Sequence, residues 1–407
     1  MVYRSTCTAA VIGLCTLAAS AAESWSNYQG NPSHTGYTPV TLPTDQFAFR
    51  WSRTFSGALN PVTAADGRVF ATRQVYFNDV DQLFVLDAKT GATEWTKGFG
   101  DVFSVNPPSY AYGNVYLQTG NHSSDTYLRA YDAATGALVF RAPHSAQWDR
   151  YYAPTIHDDK VFVNGGYYGG MYAFDAHDGT QEWFRELNGY DEWTPAVDKD
   201  YAYAYIGESC GGCNNAGLSI INRANGQIAS FIQDPSFDWH GWSMDQAPVL
   251  GGKDDLLAIQ SGRLISFDLA NHDIGWQLNR NFSGQAAVSN GVVYAIDGGA
   301  LTAWDQASGS YLWAWEAPSN LAGPFIVTDS HILISDASDT FALNLMTRSS
   351  DWSYPANGQL TLSEGVLYIA DGSVLTAISI PEPASLGLLA GGACFVLRRR
   401  RTPGLRA

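Results

Sequence analysis

The residues with the most chemical potential fall in three stretches, each leading into an apolar run. They are Trp148-Asp149-Arg150-Tyr151-Tyr152, Tyr190-Asp191-Glu192-Trp193 and Phe237-Asp238-Trp239-His240-Gly241-Trp242-Ser243-Met244-Asp245. Each sets flat aromatic rings beside carboxylates. Such rings can stack on sugar faces while the carboxylates accept hydroxyl hydrogen bonds. The candidate ligand contacts are Trp148, Tyr151, Tyr152, Asp191, Glu192, Trp193, Asp238, Trp239, His240 and Trp242. The bland alternative is that these rings pack the ends of the strands. The acidic residues near Trp193 and Trp239 could instead form a glycosidase pair, whose separation would set the mechanism, but no motif singles out an acid or a base. A fourth stretch, Cys210-Gly211-Gly212-Cys213, could be redox-active, bind metal or close a local disulfide. A second Cys or His pair for zinc is not evident, nor is a thioredoxin-like βαβ context.

The elements that must position these residues are written in a repeat. An acidic or amide residue recurs with an aromatic eight positions later: Asp87 with Trp95, Asp132 with Phe140, Asp175 with Trp183, Asp268 with Trp276, Asp305 with Trp313 and Asn344 with Trp352. Asn222 keeps the phase, but its eighth residue is Ser230. Successive markers lie 45, 43, 47, 46, 37 and 39 residues apart. A period near 40 with four short strands per unit predicts a β-propeller. In the third unit the strands fall at about Ala153–His157, Val161–Asn164, Met171–Phe174 and the run ending at Trp183. Asp175 to Gly179 forms the turn before the last strand, with Asp bonding backbone N–H groups and Gly taking positive φ. An eighth unit begins near Gly358 and stops after Val374–Ile378. Its missing fourth strand is predicted from Phe49-Arg50-Trp51-Ser52, with Trp51 in the aromatic slot. The fold class is therefore all-β, an eight-bladed propeller of four-stranded blades closed by an N-terminal strand, with seven blades as the alternative.

Alternation of strand direction puts first-to-second and third-to-fourth turns on one face. Second-to-third and unit-to-unit connections emerge on the other. The first set is short (Asp66-Gly67, Asp158-Asp159, Asn290-Gly291, Glu364-Gly365). The second is long at 73–82, 120–126, 165–170 and 207–217 and shrinks to hairpins at Ser261-Gly262 and 297–299. Loops longer than turning requires are where function concentrates, so the expected working face is biased to the first five units.

The A-x-D-x-x-T-G-x-x-x-W grammar resembles the pyrroloquinoline-quinone-like propeller repeat over 47–380. That family includes quinoprotein alcohol dehydrogenases and the propeller lipoprotein of the outer-membrane β-barrel assembly machinery. Trp25-Ser26-Asn27-Tyr28-Gln29-Gly30-Asn31-Pro32-Ser33-His34-Thr35-Gly36 is similar to a lead-in carried by secreted members, in which Asn31 and His34 are expected to lock the segment rather than do chemistry. The resemblance implies that a dehydrogenase would hold pyrroloquinoline quinone between a Trp and a disulfide of adjacent cysteines, beside calcium bound by oxygen ligands. This chain has no adjacent cysteines, and no motif identifies the calcium ligands. No cofactor is predicted, with the quinone and calcium kept for the alternative reading.

Both ends read as processing segments. Residues 1–22 carry Arg4, an apolar run and Ala19-Ser20-Ala21, the pattern of a secretory signal. Residues 23–46 are the lead-in. Residues 381–407 carry Pro381-Glu382-Pro383, an apolar run of 384–397 and Arg398 to Arg401, a layout that resembles a PEP-CTERM sorting signal read by an exosortase-type enzyme. A weak transmembrane tail anchor is the alternative. Export makes the Cys210–Cys213 disulfide the favoured reading. The formal net charge is −16, which repels phosphate backbones and argues against nucleic acid. There is no oligomer signal, so a monomer is expected. The sequence thus predicts an exported, surface-sorted, non-catalytic propeller that binds exopolysaccharide or envelope proteins. The alternatives are a quinone-dependent dehydrogenase and a glycan-hydrolysing or glycan-cleaving enzyme.

Overall fold

The computed structural model describes residues 24–74, 81–120, 126–146, 153–165, 169–187, 193–207, 216–238, 247–252 and 254–380. Among them are four four-stranded sheets, two five-stranded sheets and one seven-stranded sheet. The third unit is typical: Thr155–His157, Lys160–Asn164, Gly170–Asp175 and Gln181–Glu186 pair antiparallel in chain order. The short first turns are two-residue turns with positive φ at both positions, as at Asp66-Gly67, Asn290-Gly291 and Glu364-Gly365. This is the geometry whose twist matches the strands it joins.

One expectation needs correction. The fifth and sixth units are not separate sheets, because Asp273–Ser289 runs through both, pairing with Gly262–Asp268 at one end and Val292–Asp297 at the other. The N-terminal strand, Ala48–Thr54, pairs antiparallel with Val374–Ser379 and completes a four-stranded sheet with Gln359–Ser363 and Val366–Asp371. No sheet closes on itself among the described residues. Neighbouring sheets are joined by packing, and the inner strand Gln359–Ser363 lies against the inner strand Thr63–Ala65.

The recurring aromatics explain that packing. In every outer strand a register shift sets the marker position against a fixed inner partner. Trp95 lies opposite Val85, Phe140 opposite Ala130, Trp183 opposite Ala173, Ser230 opposite Ile220 and Trp276 opposite Ser266. Trp313 lies opposite Ala303, Trp352 opposite Ala342 and Trp51 opposite Ala377. Five of the rings (Trp51, Trp95, Phe140, Trp183 and Trp276) then cover the glycine in the turn of the next unit, while the ring of Trp313 meets Arg348 at that position. A Cβ on Gly91 would sit 2.7 Å from Trp51, on Gly136 2.9 Å from Trp95, and on Gly226 2.7 Å from Trp183. These glycines also have positive φ, which glycine adopts at least cost. The indole N–H donates to the same turn: Trp51 to Ala88 O, Trp95 to Ala133 O, Trp183 to Arg223 O and Trp276 to Gln306 O. The turn itself is tied by the marker carboxylate, as where Asp87 Oδ1 accepts from Thr90 N and Thr90 Oγ1.

The lead-in holds the inner strands together. Successive inner strands donate backbone N–H groups to it in order: Ala64 to Trp25 O, Tyr110 to Ser26 O, Val197 to Pro32 O, Leu250 to Ser33 O, Val288 to Thr35 O and Val327 to Gly36 O. Ile156 N donates to the Asn27 side chain. Asn31 shapes the turn through Ser33 N and Thr35 N. His34 is fully buried and joins Pro248 O (3.0 Å) and Thr155 Oγ1 (3.2 Å) across the axis. The cavity left between the lead-in and the inner strands holds about 20 Å³, the space of one water.

Candidate functional site

The end of the sheets that carries the second-to-third and unit-to-unit connections is also where buried polar groups gather. The most connected set lies between the fourth unit (Ala196–Val197, Tyr201–Ile206, Gly217–Asn222, Ile228–Gln233) and the fifth. Asp234, just past the outer strand Ile228–Gln233, has no exposed side-chain surface. It accepts from Tyr205 Oη (2.7 Å), Arg263 Nη1 (3.2 Å), Arg263 Nη2 (2.7 Å) and Ser236 N (3.0 Å). Arg263 Nη2 also donates to Gln260 Oε1 (2.6 Å). Gln260 Nε2 in turn donates to the backbone carbonyl of Asp238 (2.6 Å). A buried chain of hydrogen bonds thus runs from Tyr205 to the exposed Asp238.

This network fixes one end of the longest unit-to-unit connection. Phe237 is set there too, because its ring packs against Tyr205 and over Gly207, where a Cβ would come within 2.0 Å of it. The other end is pinned by Gln285, which accepts from Ala247 N (3.1 Å) and donates to Ala247 O (2.8 Å). A connection tied at both ends to buried strands is presented by a rigid frame, as a binding loop requires.

The electrostatics argue for positioning rather than proton transfer. Burial, reinforced by the charge of Asp234, pushes the Tyr205 hydroxyl well above its usual range, so it stays a donor. Asp234 has its oxygens committed to four donors. A second polar set lies at the same end between the second and third units. Gln118 reaches His144 Nε2 (3.1 Å) and donates to Asn164 O (3.2 Å). Burial pushes His144 down to about 4. His144 Nδ1, Thr126 Oγ1 and Ser104 Oγ are buried without a partner among the described residues.

Of the residues expected from the sequence, Trp148, Tyr151, Tyr152, Asp191, Glu192, Trp239, His240 and Trp242 lie outside the described residues, as do Cys210 and Cys213. Asp238 is exposed at the expected end, beside the network. Trp193 requires correction: it is 1% exposed and packs in the core with Leu187, Tyr203 and Leu218. The residue before an inner strand is drawn under the neighbouring sheet, so this ring holds the frame instead of meeting a ligand. Sequence reasoning missed Tyr205, Asp234, Gln260, Arg263 and Gln285. The available signal was a Gln and an Arg interrupting the apolar runs of Asp255–Gln260 and Gly262–Asp268.

A family model described as outer membrane protein assembly factor BamB matches residues 18–150, 123–279 and 260–382. The chain belongs to this family. A PEP-CTERM protein-sorting motif matches residues 379–401, which marks this family member for export and for surface or membrane-associated sorting by an exosortase-type system. No curated protein matches the chain. Among solved structures, BamB from Moraxella catarrhalis is similar at 16% identity, with a TM-score of 0.61, over 82% of this chain and 100% of that one. A quinohemoprotein alcohol dehydrogenase from Comamonas testosteroni is similar at 14% identity, with a TM-score of 0.69, over 89% of this chain and 81% of that one. A europium-containing methanol dehydrogenase is similar at 12% identity, with a TM-score of 0.66, over 88% of this chain and 98% of that one. At these identities the likeness establishes the propeller-type fold alone.

The dehydrogenase fold-mates prompt a test of fit for a quinone. The sequence has no adjacent cysteines. Among the described residues no group of three or more His, Cys, Asp or Glu side chains could hold a metal ion. No described helix is long and apolar enough to cross a membrane, while the apolar tail and the signal segment lie outside the described residues.

Proposed function

We propose that this family member is an exported, surface-sorted binding module whose partner is an envelope component, either exopolysaccharide or another envelope protein. The observation that carries the reading is the junction of two matches. The family repeats run to residue 382 and the sorting motif starts at residue 379, so the repeat array leads straight into the sorting tail. Export would remove residues 1–22, and an exosortase-type enzyme would act on 381–407. The working surface is the end bearing the long connections. Its support is the frame around Asp238 and Ala247, which spends buried hydrogen bonds on holding a connection rather than on chemistry. The commitments of Asp234 and Tyr205 are consistent with the non-catalytic reading at this frame.

The architecture of the module is an eight-bladed ring closed by Ala48–Thr54. Supporting this count, the last sheet meets the first through three links: Trp51 over Gly91, Thr361 Oγ1 donating to Val62 O (2.7 Å), and Glu364 accepting from Asp66 N and Gly67 N (both 2.8 Å).

The test is retention of the purified protein on immobilised exopolysaccharide, beside capture of envelope proteins by cross-linking in cells. Trp239→Ala and Asp238→Ala should abolish whichever interaction occurs and leave the unfolding midpoint unchanged. Retention by sugar names the polysaccharide, and a cross-linked envelope protein with indifference to sugar names the scaffold. If both variants behave as the parent in both assays, this end of the propeller is not the working surface.

A further inference from the structure

Two arginines are buried at this end of the sheets, and the molecule treats them differently. Arg263 meets the carboxylate of Asp234 with both terminal nitrogens and adds Gln260 and Gln277. Arg73 is 3% exposed and has one partner, Ser56, whose hydroxyl oxygen accepts from Nη1. Its Nε and Nη2 are buried with no partner among the described residues. It follows the strand Arg68–Thr72, in which Val69 and Ala71 pack with Trp51, Tyr368 and Ala377. Alternation along the strand sends Arg73 to that same side, into the seam between the first sheet and the one holding Ala48–Thr54.

The identity of the two orphan donors is informative. In a guanidinium, Nη1 lies on the Cδ side, and Nε–H and Nη2–H point outward in parallel. That pair is one of the forks that match the two oxygens of a carboxylate. Burying a guanidinium without a counter-charge is strongly unfavourable, and the fork is left open in a chain whose formal charge is −16. Solvent lies close by, since Ser56 is exposed. Gly57 stands beside the guanidinium, where a Cβ would lie 3.8 Å from Nη1.

We propose that Arg73 is the receptor for a carboxylate, gripped side-on by Nε and Nη2 and admitted where the Ser56–Ala58 turn covers the guanidinium. The carboxylate could come from a small free acid or from a uronic acid residue of a polysaccharide. The chain's negative field opposes long-range attraction of either, so recognition depends on contact geometry rather than on steering. The inference rests on the seam of the first and last sheets and does not depend on the partner of the Asp238 connection.

The test follows the Arg Nε–H signals of the isotopically labelled protein by NMR. The Arg73 signal is assigned by its loss in Arg73→Lys. Acetate, glucuronate and an oligoglucuronate are titrated against equal concentrations of chloride. The expected result is a saturable shift of that one signal with carboxylates and none with chloride, together with a rise in unfolding temperature that Arg73→Gln abolishes. Oligoglucuronate binding at least tenfold tighter than acetate identifies a polysaccharide source, and equal affinities identify a small acid. Should Arg73→Gln fail to fold, Ser56→Ala retains the fork and must still bind. No saturable shift, or an equal response to chloride, overturns the proposal.

Discussion

Whether the N-terminal strand closes the molecule can be decided by comparing two tryptophans that are near copies of one another. Trp51 and Trp183 are each 8% exposed. Each ring covers a glycine at the same distance, 2.7 Å from a Cβ built on Gly91 or on Gly226. Each indole donates to a turn carbonyl, at 3.1 Å to Ala88 and 3.0 Å to Arg223. Truncating a buried Trp to Ala costs about 3–5 kcal/mol, and the lost hydrogen bond adds about 1 kcal/mol. Trp183 joins two neighbours in the middle of the chain. Trp51 joins the strand from one end of the chain to the unit that follows it, in a sheet completed by the other end. If that seam is as tight as the internal one, Trp51→Ala and Trp183→Ala should each cost about 4–6 kcal/mol. With a urea slope of about 3 kcal/mol/M, both midpoints should fall by about 1.3–2 M. The assay is urea unfolding of the three proteins under identical conditions, read by fluorescence and by circular dichroism. A loss below about 1 kcal/mol in Trp51→Ala beside a full loss in Trp183→Ala would refute closure, because it would mean that Ala48–Thr54 is a free flap.

Three further outcomes are expected. The slot at Ser230 lacks its aromatic, and the next unit has His272 where five other turns have glycine under the ring; Ser230→Trp and His272→Gly should each fail to stabilise alone but stabilise together, with a coupling of at least about 1 kcal/mol in a double-mutant cycle, and simple additivity would show that the lock is not a pair. His34 and His144 are both pushed down to about 4 by burial, whereas unfolded imidazoles titrate near 6.5. Below that pH the unfolded chain binds more protons, so their stabilisation is complete above about 6.5 and is lost as pH falls toward about 4, at about 1.4 kcal/mol per pH unit for each. His34→Gln should remove its share of that slope, and an unchanged slope in unfolding scans across this window would contradict the burial. Asp234→Ala leaves Arg263 buried without its carboxylate and should cost about 3–5 kcal/mol, while Asp234→Leu combined with Arg263→Met should cost less; equal losses would show that the ion pair is not what the seam depends on.

What the sequence made legible depends on whether a feature is carried by side chains or by backbone. The marker acid or amide residues, the turn glycines and the aromatics recur in most units, so the turns and the strand from Phe49 could be read directly. Ser230 and His272 depart from the pattern together, whereas Trp313 keeps its ring over Arg348, so the pairing of ring with glycine is not strict. The path of the lead-in was not readable. It accepts hydrogen bonds through the carbonyls of Trp25, Ser26, Pro32, Ser33, Thr35 and Gly36, and a carbonyl leaves no mark in residue type. Only His34 and Asn31 announced the segment, and their side chains do lock it.

The site was legible in its place and not in its members. Long connections on one face of the first units told where to look, because connection length is a count of residues. Trp193 was misassigned because proximity to a connection says nothing of which way a ring turns, and here the inner strand carries it beneath its neighbour. The residues that hold the frame were missed for the opposite reason. A buried Arg, Gln or Tyr in an apolar run is ordinary until its partners are known, and the partners are distant in the chain: Asp234 for Arg263 across 29 residues, Gln285 for Ala247 across 38 residues. The same reasoning makes Arg73 informative. Arg263 proves that this end of the molecule supplies a carboxylate to a buried guanidinium when the structure itself requires one. Among the described residues the second buried guanidinium, Arg73, has no such carboxylate, and that contrast is the basis for proposing one from outside.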